Sequence, residues 1–278
     1  MRRFLAGIKE YWSARPFIWK EGDEVEGGEV HLPTCGKVLF IAPHPDDAES
    51  VAITLRLLMG SGCEISLAVI SLSPSGVEDE YARRWSGDTF LSLQGKKREI
   101  RRREQISSAA ILGLTQDQLV FLGLEEDSTL DSRQNRSLLK NHLQSMVPDI
   151  VILPIGKDPN QTHSWTHQVF REGAQELVSK IQKPLVALYN EDPKTLEIRK
   201  DLFVLFGEES ARWKRVLLRT HDSQQQRNIH LRGIGFDERI LGRNYWSGKH
   251  LSAASPEAPY AEVFEIELFD FPPIPDSI

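Results

Sequence analysis

The sequence predicts an α/β fold in which a doubly wound, mostly parallel sheet carries helices on both faces. Short apolar runs that are typical of buried strands alternate with longer segments of helical periodicity along most of the 278 residues. Two of the strand-like runs are followed by segments that contain histidine, and open α/β sheets bind ligands at the carboxyl ends of their strands. We expect one main domain at residues 37–278, preceded by an N-terminal extension at residues 1–36.

Strands are predicted where aliphatic and β-branched residues lie between turn signals. The first, from Val38 to Ala42, is apolar at every position, as in a strand that is buried on both faces. The predicted strands are 37–42, 64–72, 119–122, 150–154, 185–190, 202–206 and 260–268.

Helices are predicted where apolar residues recur at helical spacing, and glycine often follows the last of them. Gly60 closes the first helix and Gly113 ends the second. The predicted helices are 47–60, 96–112, 133–146, a segment opened by His167, and 208–227, with a long loop at 77–95. In the extension, the apolar residues between Phe4 and Trp12 predict a short amphipathic helix.

The stretch after the first predicted strand points to metal chemistry. Its apolar run ends in His44-Pro-Asp46-Asp47. His44 and Asp47 can face one point from a turn, and imidazole with carboxylate suits zinc or another first-row divalent metal. Asp46 would lie beside the metal, where a carboxylate can take a proton from a metal-bound water. The alternative is that the two aspartates only cap the following helix and place acid in its first turn.

The predicted topology supplies a third ligand. In a doubly wound order, the first and fourth predicted strands flank the point at which the strand order reverses. The segment after the fourth strand holds His163 and His167, and the residues alone leave open which of them joins His44 and Asp47. Three protein ligands with one open position are the pattern of a catalytic zinc site.

Composition argues against several other classes of protein. The formal net charge of −6 argues against a general nucleic-acid binder, so most of the basic residues within 96–103 are interpreted as a solvated helix face. Cys35 and Cys63 form neither a disulfide framework nor a zinc pair. No run approaches the ~18 apolar residues of a spanning helix, and the first residues lack the apolar core of a signal peptide. We therefore expect a cytoplasmic protein.

Six short motifs lie in order between residues 37 and 268. They are His44-Pro-Asp-Asp-Ala-Glu49, Glu99-Ile-Arg-Arg-Arg-Glu104, Phe121-Leu-Gly-Leu-Glu-Glu-Asp127, Thr162-His-Ser-Trp-Thr-His167, Lys214 to Asn228 with His221-Asp-Ser-Gln224, and Tyr260-Ala-Glu-Val-Phe264. In this order they resemble the motifs of the LmbE/PIG-L family of metal-dependent N-acetylglucosaminyl deacetylases. The first is similar to the family's His-Pro-Asp-Asp-x-Glu signature.

The resemblance implies a Rossmann-like fold and zinc-dependent removal of an N-acetyl group, usually from an N-acetylglucosamine unit. The implied roles are metal ligands for His44, Asp47 and His167, general base for Asp46, oxyanion stabiliser for His163, and contacts to sugar hydroxyls for Arg101 and Asp127. His167 is preferred to His163 as the ligand. If His167 is the ligand, Phe170 falls on an apolar position of the following helix, whereas if His163 is the ligand, Thr166 falls on that position.

The chain departs from the family pattern at three points. The glycine-rich stretch after the signature is replaced by residues 50–54, the Asp of His-x-Asp-His is Thr166, and the two histidines are four residues apart instead of three. These departures favour one alternative, a non-catalytic sugar- or nucleotide-binding module on the same fold. A second alternative is a metal hydrolase that acts on another amide or on a phosphoester.

The expected partner is a small molecule or glycoconjugate that contains an N-acetyl sugar. We expect no nucleic acid and no membrane span, and the sequence is compatible with a homo-oligomer. The expected reaction is hydrolysis of the acetamide by a metal-activated water, with Asp46 as the general base.

Overall fold

The computed structural model describes residues 17–21, 36–87, 90–127, 129–249, 251 and 257–270. Eight strands of this part of the chain form one sheet. They are β1 (Phe17–Lys20), β2 (Lys37–Ala42), β3 (Glu64–Val69), β4 (Leu119–Phe121), β5 (Ile150–Pro154), β6 (Leu185–Asn190), β7 (Leu202–Phe206) and β8 (Tyr260–Phe269). Their order is β1-β7-β8-β6-β5-β2-β3-β4, and only β8 is antiparallel to its neighbours. This mixed, mostly parallel sheet confirms the predicted fold class.

The described helices lie on both faces of the sheet. They are α1 (Ala52–Gly60), α2 (Asp79–Arg84), α3 (Leu93–Leu112), α4 (Arg133–Met146), α5 (Gln161–Ile181), α6 (Glu208–Leu218), α7 (Asp222–Arg232) and α8 (Phe236–Lys249). A short 3-10 turn, Ala48–Val51, precedes α1. Among these helices, none combines the length and the hydrophobicity that a bilayer span requires.

The core has two layers because successive residues of a strand point to opposite faces of the sheet. In β2, Val38, Phe40 and Ala42 pack in one apolar cluster with residues of α1, α3, α6 and α8. Leu39 and Ile41 pack in the other cluster with residues of α4 and α5. Both faces of β2 are therefore buried, as its unbroken apolar run predicts.

β2 and β5 are adjacent, parallel strands at the point where the chain reverses direction across the sheet. β2 is followed along the chain by β3 on one side, and β5 is followed by β6 on the other. The predicted position at which the strand order reverses is confirmed. Because β2 and β5 are adjacent and parallel, the segments that follow them meet at one edge of the sheet.

Three elements differ from the sequence predictions. The predicted loop at 77–95 contains α2 and the start of α3, because Val77 and Ala82 pack against Ile100 in a small separate cluster. The predicted helix at 208–227 is two helices, since His221 has non-helical angles and lies 3.2 Å from the buried carboxylate of Glu49. α8 was not predicted.

The amino-terminal segment contributes a strand that the sequence analysis did not predict. β1 pairs in parallel with β7 at the edge of the sheet. The predicted amphipathic helix between Phe4 and Trp12 lies outside the described residues. The segment treated as an extension therefore shares the sheet of the main domain at Phe17–Lys20.

Candidate metal centre

The turn after β2 contains an aspartate with an unfavourable backbone conformation. Asp46 has φ of 98°, a region that residues with a Cβ atom rarely adopt. Its N–H donates to the Gln105 side chain at 3.1 Å. The His44 N–H donates to Oδ2 of Asp47 at 2.7 Å and closes the turn. Strained residues of this kind persist where the surroundings hold them, and they cluster at functional sites.

His44, Asp47 and His163 bring three metal-binding groups to one point. One oxygen of Asp47 lies 3.5 Å from Nδ1 of His44, and the other lies 3.5 Å from Nε2 of His163. The two ring nitrogens are 3.3 Å apart. A tetrahedral zinc with bonds of about 2.0–2.1 Å separates its ligand atoms by roughly 3.3–3.4 Å. The observed spacing therefore fits zinc or a similar first-row metal.

Each of the two histidines has a carboxylate on its other ring nitrogen. Oε1 of Glu126 is 2.5 Å from Nε2 of His44, and Oδ2 of Asp158 is 3.1 Å from Nδ1 of His163. Carboxylates in these positions fix the tautomer and the orientation of metal-binding imidazoles. The arrangement leaves His44 Nδ1 and His163 Nε2 to face the metal.

The same carboxylates control the charge of the cluster. Burial alone would lower the pKa of His44, but its contacts with Asp47 and Glu126 outweigh burial and raise the pKa to about 9. Burial alone would raise the pKa of Glu126, but its contacts, chiefly with His44, lower the pKa to about 2. Despite burial, His163 and His44 hold the pKa of Asp47 well below its usual range. A metal would therefore take the place of a proton on His44.

Asp158, His163 and Asp192 form a second group whose atoms are close enough to share a metal. Asp158, however, already occupies Nδ1 of His163. Burial, opposed by the attraction of His163, raises the pKa of Asp192, so this carboxylate binds a proton more readily than an ordinary aspartate. We interpret Asp158 as the group that orients His163 and the first cluster as the metal site.

A cavity of about 520 Å³ opens over this cluster. His44, Asp46 and Asp47 line it together with Glu126 and Arg101. Pockets of this size accommodate small-molecule ligands. Two of the three candidate metal-binding residues, His44 and Asp47, thus face the same space as the spare carboxylate of Asp46, whereas His163 is buried beside them and is not part of the cavity lining.

A comparison with protein families places these residues in a known group. The PIG-L model, described as GlcNAc-PI de-N-acetylase, matches residues 39–174, which include His44, Asp46, Asp47 and His163. Residues 39–174 belong to the PIG-L family. A comparison with curated proteins gives no match.

Solved structures share the fold of this chain. The N,N'-diacetylchitobiose deacetylase of Pyrococcus horikoshii has 21% sequence identity and a TM-score of 0.64, covering 83% of each chain. A deacetylase of teicoplanin biosynthesis has 15% identity and a TM-score of 0.56, covering 87% of this chain and 100% of its own. The 4-carboxy-2-hydroxymuconate hydratase GalB of Pseudomonas putida has 18% identity and a TM-score of 0.54, covering 87% of this chain and 99% of its own. At these identities the likeness establishes the fold alone.

The histidine that the structure brings to His44 and Asp47 is His163, and not the predicted ligand His167. The ring of His167 packs against Tyr189, with ring centroids 4.6 Å apart, and lies directly over Gly156, where a Cβ atom would come within 2.5 Å of its Nδ1. His167 thus lies outside the cluster that His163 joins. Nε2 of His163 faces the other two donor groups, so His163 is a candidate ligand, and its role as oxyanion stabiliser stays a prediction.

The preference for His167 depended on the predicted start of α5. The sequence predicts a helix opened by His167, which leaves His163 outside it, but the observed helix begins at Gln161, and the Asn160 side chain accepts the N–H of Thr162 at 2.9 Å as its N-cap. His163 therefore lies in the first helical turn. A threonine on the apolar face of the helix was the reason for not choosing His163. The structure shows that Thr166 is fully buried on that face. Asn160 was the signal that could have located the helix start.

Of the two residues predicted to hold sugar hydroxyls in the PIG-L domain, only Arg101 lines the cavity. It is buried, donates to the carbonyl of Pro45 and lies 3.3 Å from Oδ2 of Asp46. Asp127 does not line the cavity, and its carboxylate caps its own loop by accepting the N–H of Thr129 at 2.7 Å. Arg101 therefore holds Asp46 in place, and the predicted contact between Asp127 and the sugar is not supported.

Sequence reasoning did not find the two carboxylates that orient the histidines. Glu126 follows β4 in the third of the six motifs, in which a role was predicted only for Asp127, and Asp158 lies five residues before His163. Their positions at the carboxyl ends of β4 and β5 were the available signal. Their partners were not readable from the sequence, because each contact depends on how the loops fold over the sheet edge.

Proposed function

We propose that the protein is a metal-dependent deacetylase that hydrolyses the N-acetyl group of an N-acetylglucosamine-containing small molecule or glycoconjugate. His44, Asp47 and His163 would hold zinc or another first-row divalent metal. When bound, the metal would polarise the acetamide carbonyl and lower the pKa of a water. A cytoplasmic location is part of this proposal and is supported by the scarcity of cysteine.

Asp46 carries the proton transfers in this proposal. Its carboxylate accepts a proton from the attacking water as the new C–O bond forms at the acetamide carbon. It then returns the proton to nitrogen as the C–N bond breaks. One water and one acetamide thus give acetic acid and a free amine, which at neutral pH are present as acetate and an ammonium ion. Arg101 keeps the carboxylate in place through the contact at 3.3 Å. General acid–base catalysis of this kind contributes about 10²–10⁴-fold in rate.

The observation that carries the proposal is the position of Asp46. It lines the same cavity as His44 and Asp47 but is not one of the three clustered ligands. A purely structural pair of aspartates would cap the next helix, but no side chain caps the 3-10 turn that begins at Ala48. The fold alone does not select the chemistry, because similar folds include a hydratase as well as deacetylases.

The test is acetate release from a panel of N-acetylglucosaminides, measured with chelator, with zinc and with cobalt. We expect metal-dependent release by the parent protein and a loss of about 10²–10⁴-fold in Asp46→Asn at unchanged metal content. Asp117→Asn is the matched control, since Asp117 is exposed and does not line the cavity.

Each contrary result points to a specific alternative. Equal acetate release by the parent protein and Asp46→Asn would disprove the assigned base. A protein that binds no metal and stays inactive with added zinc or cobalt would favour the non-catalytic module. Phosphate release from phosphoesters without acetate release would favour another metal hydrolase.

A further inference from the structure

A group of cationic side chains lines the cavity of the candidate metal site without a direct ion pair, although the Asp192 carboxylate of the same cavity attracts two of them from a longer distance. The group consists of Lys194, Arg227, Arg232 and Arg239, all of which line the cavity. Within the described part of the chain, none of the four forms an ion pair with a carboxylate. Arg101, the other cation of the lining, is already paired with Asp46. We call the four side chains the cationic cluster.

Asn228 holds two of these guanidinium groups side by side. Its Oδ1 accepts a hydrogen bond from Arg239 at 2.9 Å and one from Arg232 at 3.5 Å. Asn228 is buried, and its Nδ2 donates to the carbonyl of Gln224 at 2.8 Å, so its orientation is fixed. Gly233, at φ of 73°, ends α7 and allows α8 to return beside it. Arginines of two helices are thereby held against one neutral acceptor.

This arrangement is electrostatically unfavourable without an anion. Two like charges repel more strongly near a partly buried site than in water. Burial and the neighbouring Arg232 lower the pKa of Arg239, although Asp192 and Asp46 act in the opposite direction. Guanidinium remains charged at neutral pH, so the repulsion is not relieved by loss of a proton.

Two arginines that lie near the cavity but outside its lining have carboxylate partners, one on α8 and one directly after α6. Arg243 donates to Glu191 at 2.6 Å, and Arg219 donates to Asp237 at 2.8 Å. The cationic cluster is therefore a local feature of the cavity wall and not a general excess of positive charge, since the whole chain carries a net charge of −6.

We propose that the cationic cluster binds an anionic group of the substrate, a phosphate or a carboxylate, while the acetamide lies at the metal site. The inference rests on the proposed deacetylation and narrows its substrate to a negatively charged N-acetyl amino sugar. Planar guanidinium groups match the oxygen pairs of phosphate and carboxylate and bind them with charge-assisted hydrogen bonds. The cluster and Asp46 share one cavity, so a single small molecule can contact both.

The test compares three substrates that differ in one substituent of the sugar. They are the methyl glycoside of N-acetylglucosamine, N-acetylglucosamine 1-phosphate and the carboxymethyl glycoside. We expect the parent protein to hydrolyse an anionic substrate with a kcat/KM at least about tenfold higher than that of the neutral one, as for hydrogen bonds to charged groups. The phosphate and carboxylate arms show which anion is preferred.

Variants of the cationic cluster connect this preference to named residues. Arg227→Gln and Arg232→Gln should each reduce the ratio of anionic to neutral kcat/KM by about tenfold. Arg212→Gln, at an exposed arginine of α6 outside the cavity, is the matched control and should leave the ratio unchanged. Calorimetric binding of the same three sugars to Asp46→Asn measures affinity without turnover. When Arg227→Gln or Arg232→Gln is added to Asp46→Asn, only the binding of the anionic sugars should weaken.

The outcomes separate this inference from the proposed function. Equal kcat/KM and equal binding for neutral and anionic sugars, with no effect of either variant, would overturn the anion site while leaving deacetylation intact. Binding that depends on the anion and on Arg232, without acetate release from any sugar by the parent protein, would support the anion site and contradict deacetylation.

Discussion

At the scale of single residues, we expect the proposed metal site to depend on His163. His163→Ala should lose bound metal, because Nε2 of His163 lies 3.3 Å from Nδ1 of His44 and 3.5 Å from an oxygen of Asp47 and belongs to one of only three candidate ligands. His167→Ala should keep the metal, since its ring packs on Tyr189 outside the cluster. Metal content of both purified proteins after dialysis checks this. Metal loss in His167→Ala with retention in His163→Ala would restore the assignment made from the sequence.

His167 should also make the fold sensitive to acid. Burial, reinforced by Arg171, lowers the pKa of His167 to about 4, below its ordinary value of 6.5. Between pH 6.5 and 4, His167 therefore binds a proton in the unfolded chain but not in the folded chain. The contribution of His167 to the free energy of unfolding is complete above pH 6.5 and decreases as the pH falls. From pH 7.5 to 5, the parent should lose about 1–2 kcal/mol more unfolding free energy than His167→Phe.

Urea unfolding of the parent and His167→Phe at several pH values measures this difference. Metal should be removed from both proteins first, so that the titration of the metal site is the same in each. If the unfolding free energies of the parent and His167→Phe change equally with pH, His167 does not stay neutral in the folded chain.

The sequence was informative about individual residues where the chemistry is local. His44, Asp46 and Asp47 lie within one turn, so their proximity followed from the strand that precedes them. The choice between His163 and His167 depended on where a helix begins. The helix predicted to open at His167 begins at Gln161, and this shift places His163 in the first turn, beside the other donors. Glu126 and Asp158 could not be assigned, because loop conformation decides which ring each carboxylate meets.

At the scale of elements, a buried ion pair joins the start of α1 to the last strand of the sheet. The carboxylate of Glu262 on β8 accepts the N–H groups of Ile53 and Thr54 at 3.0 and 2.8 Å. It also pairs with Lys214 of α6 at 2.6 Å, and both side chains of this pair are fully buried. The sequence analysis assigned no role to Glu262. The structure shows that it fixes the helix that follows the metal-binding turn.

Glu262→Gln should lower the free energy of unfolding by about 3–5 kcal/mol, because it leaves the Lys214 ammonium buried without a counterion. Glu265→Gln is the matched control on the same strand. Its partner Arg199 is half exposed, so the loss should stay within about 1 kcal/mol. Denaturant unfolding of the two variants gives the comparison. Equal losses would show that the buried pair contributes no more than an exposed one.

Element prediction succeeded where burial was uniform along a strand and failed where it depended on tertiary contacts. β2, β5, β6 and β7 are apolar runs between turn signals, and their observed bounds agree with the predicted ones. α8 and the break between α6 and α7 were missed. The break depends on a contact between His221 and Glu49, which are far apart in the sequence.

At the scale of the whole molecule, the fold class and the adjacency of β2 and β5 were predictable because they follow from the alternation of strands and helices. The position of β8 was not. It lies antiparallel between β6 and β7, and no property of its sequence specifies which strands it separates. Topological rules restrict the sheet position of consecutive parallel strands joined by helices. They restrict much less the position of an antiparallel strand that comes last in the chain.

The position of β8 has a consequence for synthesis on the ribosome. The first described strand, β1, pairs only with β7, and β7 is joined to the rest of the sheet only through β8. A nascent chain can assemble β6, β5, β2, β3 and β4 as they emerge, but β1 and β7 cannot join that sheet until Tyr260–Phe269 has left the exit tunnel. Until then the β6 edge presents unpaired backbone groups to other chains and to chaperones.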